Sequence, residues 1–402
     1  MGKIDELIQQ YCPDGVEYKR IDSYTKVLRG KRLTKDLLSD DNKYPVYHGG
    51  LDPLGFYNSS NRKAGTVMVI NVGASAGTVG YSDVEFWSSD GCFCIDKNES
   101  VNDKFLYYYL KNNEHYFVTK VRKAGIPTLD NFIVESFEIP VPPLPVQEEI
   151  VRILDKMTEL ETELETELDL RKKQYEYYRD KMLSDEYLEQ HCPDGVEYKR
   201  FDEACTLHAR IGWQRLTKSE HRTSGDYMLI TGTDFTTSNE INYESCVYVN
   251  EERYEQDKKL QLKNGDILVT KDGTLGKIAQ VNGLPKPATL NGGVFVVRPV
   301  DDKLCSRFIL HYLLSDHFMR VVHSRKTGST ISHLTQGLFS QIKIPIPPLP
   351  VQEEIVRILD KFSTLTSDIS EGLPAEIKMR HQQYEYYRDK FLTFKRLEDN
   401  AV

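Results

Sequence analysis

No stretch of about 18 consecutive apolar residues occurs anywhere in the 402-residue chain, so no membrane-spanning helix is expected. Met1–Cys12 carries acids and no long apolar run, which excludes a secretory signal, and Glu6 stands where a myristoylation motif needs Ser or Thr. A cytoplasmic location is the expectation. The seven cysteines (Cys12, Cys92, Cys94, Cys192, Cys205, Cys246 and Cys305) have no disulfide-like spacing. The close pair, Cys92-Phe93-Cys94, lacks the histidine cluster a zinc site would need, so reduced core thiols are expected.

Catalytic signatures are missing as well. No GxxxxGK[ST] loop is present, and Gly273-Thr-Leu-Gly276-Lys277 has the wrong spacing for one. HExxH, GxSxG and zinc-deaminase patterns are absent, and the doubled prolines stand in PPLP rather than in an amino-methyltransferase signature. Gly73–Gly80 (GASAGTVG) is not GxGxxG and reads as a strand-to-helix turn. Pro13-Asp14-Gly15-Val16-Glu17-Tyr18-Lys19 imitates a PD…ExK nuclease pattern. Only two residues separate Asp14 from Glu17, however, too few for the strand pairing that chemistry requires. No catalytic residue, metal ligand or cofactor is assigned.

What the chain does contain is a duplication, the feature to read before any other. PPLPVQEEIVRILDK spans Pro142–Lys156 and recurs letter for letter at Pro347–Lys361. QYEYYRDK stands at Gln174–Lys181 and Gln383–Lys390, and CPDGVEYKR at Cys12–Arg20 and Cys192–Arg200. Proline fixes φ and disfavours helix in the residue before it, so Pro140–Pro145 is extended and a helix opens at Pro145. Apolar residues then follow at Ile150, Leu154, Met157, Leu160, Leu164 and Leu168, and onward to Tyr175, Tyr178 and Met182. Steps of three and four make a stripe narrow enough for a coiled-coil seam, on a rod of about 60 Å. Leu359, Phe362 and Leu365 are the corresponding seam in the second copy.

The first rod carries tetrapeptides, TELE-TELE-TELD, at Thr158–Asp169. One unit advances a helix by ~6 Å and overshoots its period by ~40°. The second rod holds Glu371-Gly-Leu-Pro374, which predicts a break near Gly372. Between the shared blocks the two halves match only loosely: GTVMVINVG (Gly65–Gly73) parallels GDILVTKDG (Gly265–Gly273), each a buried strand entering a turn. Phe86–Ile95 reads as one strand, and Lys104–Tyr116 as a helix.

The net charge of −9 is concentrated in the rods. Val146–Glu186 has 13 acidic against 7 basic residues, whereas Ile21–Pro140 has 15 against 14. The segments between the rods can therefore carry basic patches, and a DNA-binding face is not excluded. Basic residues cluster at turn positions: Arg29, Lys31, Arg32 and Lys35 in the first half; Arg210, Trp213, Gln214, Arg215 and Lys218 in the second. Arg122-Lys123 and Arg325-Lys326 each stand two residues before a glycine, and Lys271 follows a strand. Arginine and lysine suit phosphates, while Gln214 or an arginine suits a base edge. Two other readings stay open on residues alone: a coiled-coil scaffold without DNA readout, and an enzyme using the glycine-rich turns.

Taken together, two variable α/β segments, each followed by PPLPVQEEIVRILDK, a Glu/Leu-rich helix and QYEYYRDK, closely resemble the specificity subunit of type I restriction-modification systems. That resemblance covers essentially the whole chain. It implies a mixed α/β fold: two target recognition domains separated by two long antiparallel coiled-coil helices, with an internal pseudo-twofold (circular) repeat. The expected boundaries are 1–141 and 187–346 for the recognition domains, and 142–186 and 347–402 for the spacer helices. It also implies a non-catalytic subunit whose domains each read half of a bipartite site on double-stranded DNA. The helices would set the spacer. Two modification (adenine-N6 methyltransferase) subunits and restriction/translocase subunits are the implied partners, with no membrane involvement.

Overall fold

The computed structural model describes residues 2–210, 212, 216–271, 276–324, 334–367 and 372–397. Two compact units emerge, and neither is a continuous piece of chain. The first unit comprises Met1–Glu163 with Lys378–Val402, and the second is Leu164–Ile377.

The first unit is built on a four-stranded antiparallel sheet in the order Val27–Arg29, Cys92–Ile95, Thr66–Ile70, Val79–Ser82. A three-stranded sheet adjoins it, ordered Phe56–Tyr57, Tyr44–Tyr47, Trp87–Ser88, the last pair parallel. Tyr18–Arg20 pairs separately with Glu138–Pro140. In the second unit the same orders and senses recur. Cys205–His208, Val294–Pro299, Ile267–Thr270 and Ile278–Gln280 form the antiparallel sheet. Val247–Val249, Tyr227–Ile230 and Ala288–Leu290 form the smaller one, with Glu197–Arg200 pairing Lys343–Ile346. Thr66–Ile70 and Ile267–Thr270 are buried along their whole length, which explains their unbroken apolar runs.

Two local expectations change. Phe86–Ile95 is not one strand, because Cys92 N–H bonds to Ser89 O (3.2 Å) and the turn sends Trp87–Ser88 and Cys92–Ile95 into different sheets. Gly73–Gly77 leads not to a helix but back into Val79–Ser82. Its glycines are required: Gly73 and Gly77 have φ of +96° and +92°, and a β-carbon on Gly77 would lie 2.8 Å from Val118 Cα.

The PPLP block does open a helix. Pro143 O accepts the Val146 amide (2.9 Å), and the helix runs 39 residues, Leu144–Met182, about 58 Å at 1.5 Å per residue. Its counterpart is two helices, Leu349–Ser367 and Leu373–Leu392, as the Gly372-Leu-Pro374 sequence predicts. Within each unit these helices pack antiparallel. In the first, Leu154 shares a core with Phe391 and Leu392 while Glu161 lies 3.5 Å from His381. In the second, Tyr178 stacks on Phe362 (5.5 Å) and Met182 shares a core with Leu359 and Ile355. Leu154 and Leu359 are buried; Met157, Leu160, Leu164, Leu168 and Phe362 are half-buried; Leu365 sits at the margin, 36% exposed.

Candidate nucleic-acid interface

Backbone hydrogen bonds pin the first basic loop. Lys31 N–H donates to Ser88 O (2.9 Å), Trp87 Nε1 donates to Lys31 O (2.8 Å), and Arg62 Nη2 donates to Arg29 O (3.0 Å). Gly30 makes this approach possible, since a β-carbon there would fall 1.9 Å from Ser89 O. The side chains of Arg29, Lys31, Arg32 and Lys35 are left exposed, and none forms an ion pair among the described residues. A rigid main chain presenting four unpaired cations suits duplex phosphates.

A hairpin closed by Arg122 N–H to Thr128 O (2.9 Å) and its return bond (3.0 Å) lies beside the glycine-rich turn. Gly73 N–H donates to Pro127 O (2.9 Å) and Leu129 N–H to Asn71 O (2.8 Å). Arg122 forms an exposed ion pair with Asp130 (2.8 Å), and Lys123 is exposed. Ile126 projects at the tip, 71% exposed, and Asn71 keeps a buried side-chain oxygen without a partner. His48 joins this cluster, 3.4 Å from Asp90. Sequence reasoning missed Ile126, Asn71 and His48, which converge only through strand order.

In the second unit one expectation is corrected outright. Arg210 is 2% exposed and faces inward. Its guanidinium donates to Leu290 O (2.6 Å), Arg253 O (3.1 Å), Thr289 Oγ1 (3.1 Å) and Gln256 Oε1 (3.1 Å), and burial pulls its pKa down. A buried charge must be fully hydrogen-bonded, and here those bonds tie together strands far apart in sequence. Lys218 is exposed, whereas Lys271 lies over the Phe295 ring at 5.3 Å. Trp213, Gln214, Arg215, Arg325 and Lys326 lie outside the described residues.

Beside a shared apolar core, each head is held to its helices by a polar clamp whose glutamine is bound alike in both units. Gln147 is fully buried: its oxygen accepts Asn102 N–H (2.8 Å) and its nitrogen donates to Ser100 O (3.0 Å) and Pro142 O (2.6 Å). Gln352 repeats the pattern with Cys305 N–H (2.9 Å), Lys303 O (2.7 Å) and Pro347 O (2.7 Å). Asp155 accepts from Lys104 and Tyr108, and Asp360 from Arg307 and His311, all at 2.7 Å. The signal for these clamps was present in the repeat: polar letters kept inside an apolar stripe.

The clamp also carries a pH consequence. His311 is 1% exposed, faced by Asp360, Tyr175, Arg307 and Arg179, and burial lowers its pKa even though Asp360 opposes that shift. Neutral in the fold, it takes up a proton on unfolding below its ordinary value of 6.5. Stability is therefore full above 6.5 and is lost as pH falls from there toward the folded value, by at most about 1.4 kcal/mol per pH unit. Urea midpoints of the wild-type chain should drop between pH 7.5 and 5.5, and His311→Tyr, which installs the Tyr108 arrangement, should flatten that dependence.

Among the described residues no cluster of three metal-ligating side chains occurs, and no helix is long and apolar enough to cross a membrane. Asp14 and Glu17 are exposed, and Glu17 pairs with Lys19 at 3.0 Å. Two like-folded heads of unlike surface, each clamped by an equivalent glutamine and aspartate onto repeated helices, define a duplicated recognition scaffold. The type I restriction modification DNA specificity domain model matches residues 13–170 and 193–379, and the chain belongs to that family. Members of this family are the non-catalytic DNA-recognition subunits of type I restriction-modification systems. The chain is 30% identical to a putative type I restriction enzyme specificity subunit of Haemophilus influenzae, over 94% of this chain and 96% of that one. It is 35% identical to the EcoR124I/EcoR124II specificity subunit of Escherichia coli over 72% of this chain and 70% of that one. The fold matches the crystal structure of the S subunit from M. genitalium, with a TM-score of 0.59 at 18% identity, covering 94% and 96% of the two chains.

Proposed function

We propose that each head reads one half of a bipartite site on double-stranded DNA, and that the paired helices set the number of unread base pairs between the halves. The heads correspond to residues 1–141 and 187–346, and the spacer helices to 142–186 and 347–402. The observation that carries this reading is the combination of one strand order, two unlike sets of loop residues, and one repeated clamp. Identical mounts imply identical attachments: two modification subunits, one on each repeat, with Tyr177 and Tyr386 (60% and 64% exposed) offering the same anchor twice. Restriction/translocase subunits complete the complex in the cytoplasm. No cofactor is required of this chain.

Co-expression with its modification subunit, followed by genome-wide mapping of methylated adenines, should return one motif of two short halves around a fixed gap. In the same complex, replacing Arg29, Lys31, Arg32 and Lys35 by alanine should lower the slope of log K against log salt by about 3 to 4. An unchanged slope would remove this loop from the interface, and scattered or absent methylation would favour the scaffold alternative.

A further inference from the structure

The block CPDGVEYKR is identical in the two units, yet among the described residues it is bridged in only one of them. In the first unit the segment Phe394–Leu397, which follows helix Leu373–Leu392, is joined to it by a parallel bridge between Val16 and Arg396. Val16 N–H donates to Lys395 O (2.9 Å) and Leu397 N–H donates to Val16 O (2.9 Å). Tyr18 OH donates to Phe394 O (3.0 Å), and the Arg396 guanidinium sits 4.5 Å over the Tyr18 ring and pairs with Glu138. A β-carbon on Gly15 would meet Lys395 O at 2.6 Å.

At the equivalent place in the second unit, no strand bridges Val196 among the described residues. A β-carbon on Gly195 would have nothing within 4 Å. Val16 is 4% exposed, but Val196 is only half-buried; Tyr18 is half-buried, but Tyr198 is 40% exposed. Helix Asp185–His191 leaves the Val196 backbone open, as helix Lys3–Tyr11 does in the first unit, although its Asp185 holds the Tyr198 hydroxyl whose counterpart on Tyr18 binds Phe394 O. The Tyr198 hydroxyl donates instead to Asp185 Oδ1, and the ring borders a cleft of about 390 Å³ lined with Asp180, Asp185, Tyr312, His317, Arg320 and Lys343.

Charge distinguishes the two grooves. Lys343 pairs with Arg200 across the two-stranded ladder, as Glu138 pairs with Arg20, so lysine stands where the first unit has the glutamate that binds Arg396. Arg320 is engaged with Asp316 at 3.2 Å, whereas Lys343 has no ion pair among the described residues.

We propose that the edge Gly195–Tyr198 accepts an extended segment of a partner polypeptide, added as a parallel strand through the backbone of Val196, with an acidic side chain in the place of Arg396 to meet Lys343. The 394–397 segment of a second copy would set Arg396 against Lys343 and is therefore the disfavoured occupant.

The test uses the full chain and two synthetic peptides, one with the sequence of residues 391–397 and one carrying R396E, each titrated to millimolar concentration. Amide hydrogen exchange is followed at residues 195–199. The R396E peptide should slow exchange there at least tenfold more than the unaltered peptide. Lys343→Glu should reverse the preference, and Lys343→Gln should abolish it. No protection by the R396E peptide, or a preference untouched by both Lys343 variants, overturns the proposal. Preference of the wild-type chain for the unaltered peptide would assign the edge to a second copy instead.

Discussion

Deleting Thr162–Glu165 should leave both halves of the methylated motif unchanged and shorten only the gap between them. The residues form one of the tetrapeptide units inside the continuous helix Leu144–Met182. Four residues remove ~6 Å of rise, and because four exceeds 3.6 by ~0.4 the remainder of the helix turns back by ~40°. At 3.4 Å per base pair the expected loss is about one to two base pairs. Thr162 is exposed, and its hydroxyl donates to the Thr158 carbonyl one turn back (2.9 Å). Adenine methylation mapped for the deletion variant is the readout. An unaltered gap, or altered outer letters, would sink the proposed ruler.

The second large effect concerns the clamp. Gln147→Leu keeps the volume but strands Pro142 O in a buried site, and Asn102 N–H and Ser100 O in partly buried ones. An unsatisfied buried group costs about 1–3 kcal/mol, so the variant should lose roughly 3–5 kcal/mol, a large share of a domain's stability. Gln352→Leu should do the same to the second unit through Cys305 N–H, Lys303 O and Pro347 O. Denaturant unfolding with probes in each unit should show each substitution lowering the midpoint of its own unit. Equal losses in both units would mean that they unfold as one. A loss below about 1 kcal/mol would mean that the clamp contributes little.

How far the chain could be read before its structure depended on the range of the forces involved. The helix at Leu144, the break at Gly372, the turns at Gly15 and Gly195, and the buried strand Thr66–Ile70 follow from proline, glycine and apolar spacing within a few residues. Arg210 was misjudged because its partners, Leu290, Thr289, Arg253 and Gln256, are 43 to 80 residues away. The Arg122–Asp130 pair was not legible because it forms only when the hairpin closes. Phe86–Ile95 looked continuous because apolar runs do not reveal which of two sheets a strand joins.

The letters alone determined that this protein is a duplication, that its halves share one fold, and that each ends in a long amphipathic rod. They do so because repeats and periodicities need no knowledge of what lies across the core. Tertiary structure decided that each unit is assembled from separated segments, that Gln147 and Gln352 are clamps, and that among the described residues only one copy of an identical block is bridged. Those outcomes rest on hydrogen bonds and burial between residues distant in sequence, which local patterns do not encode.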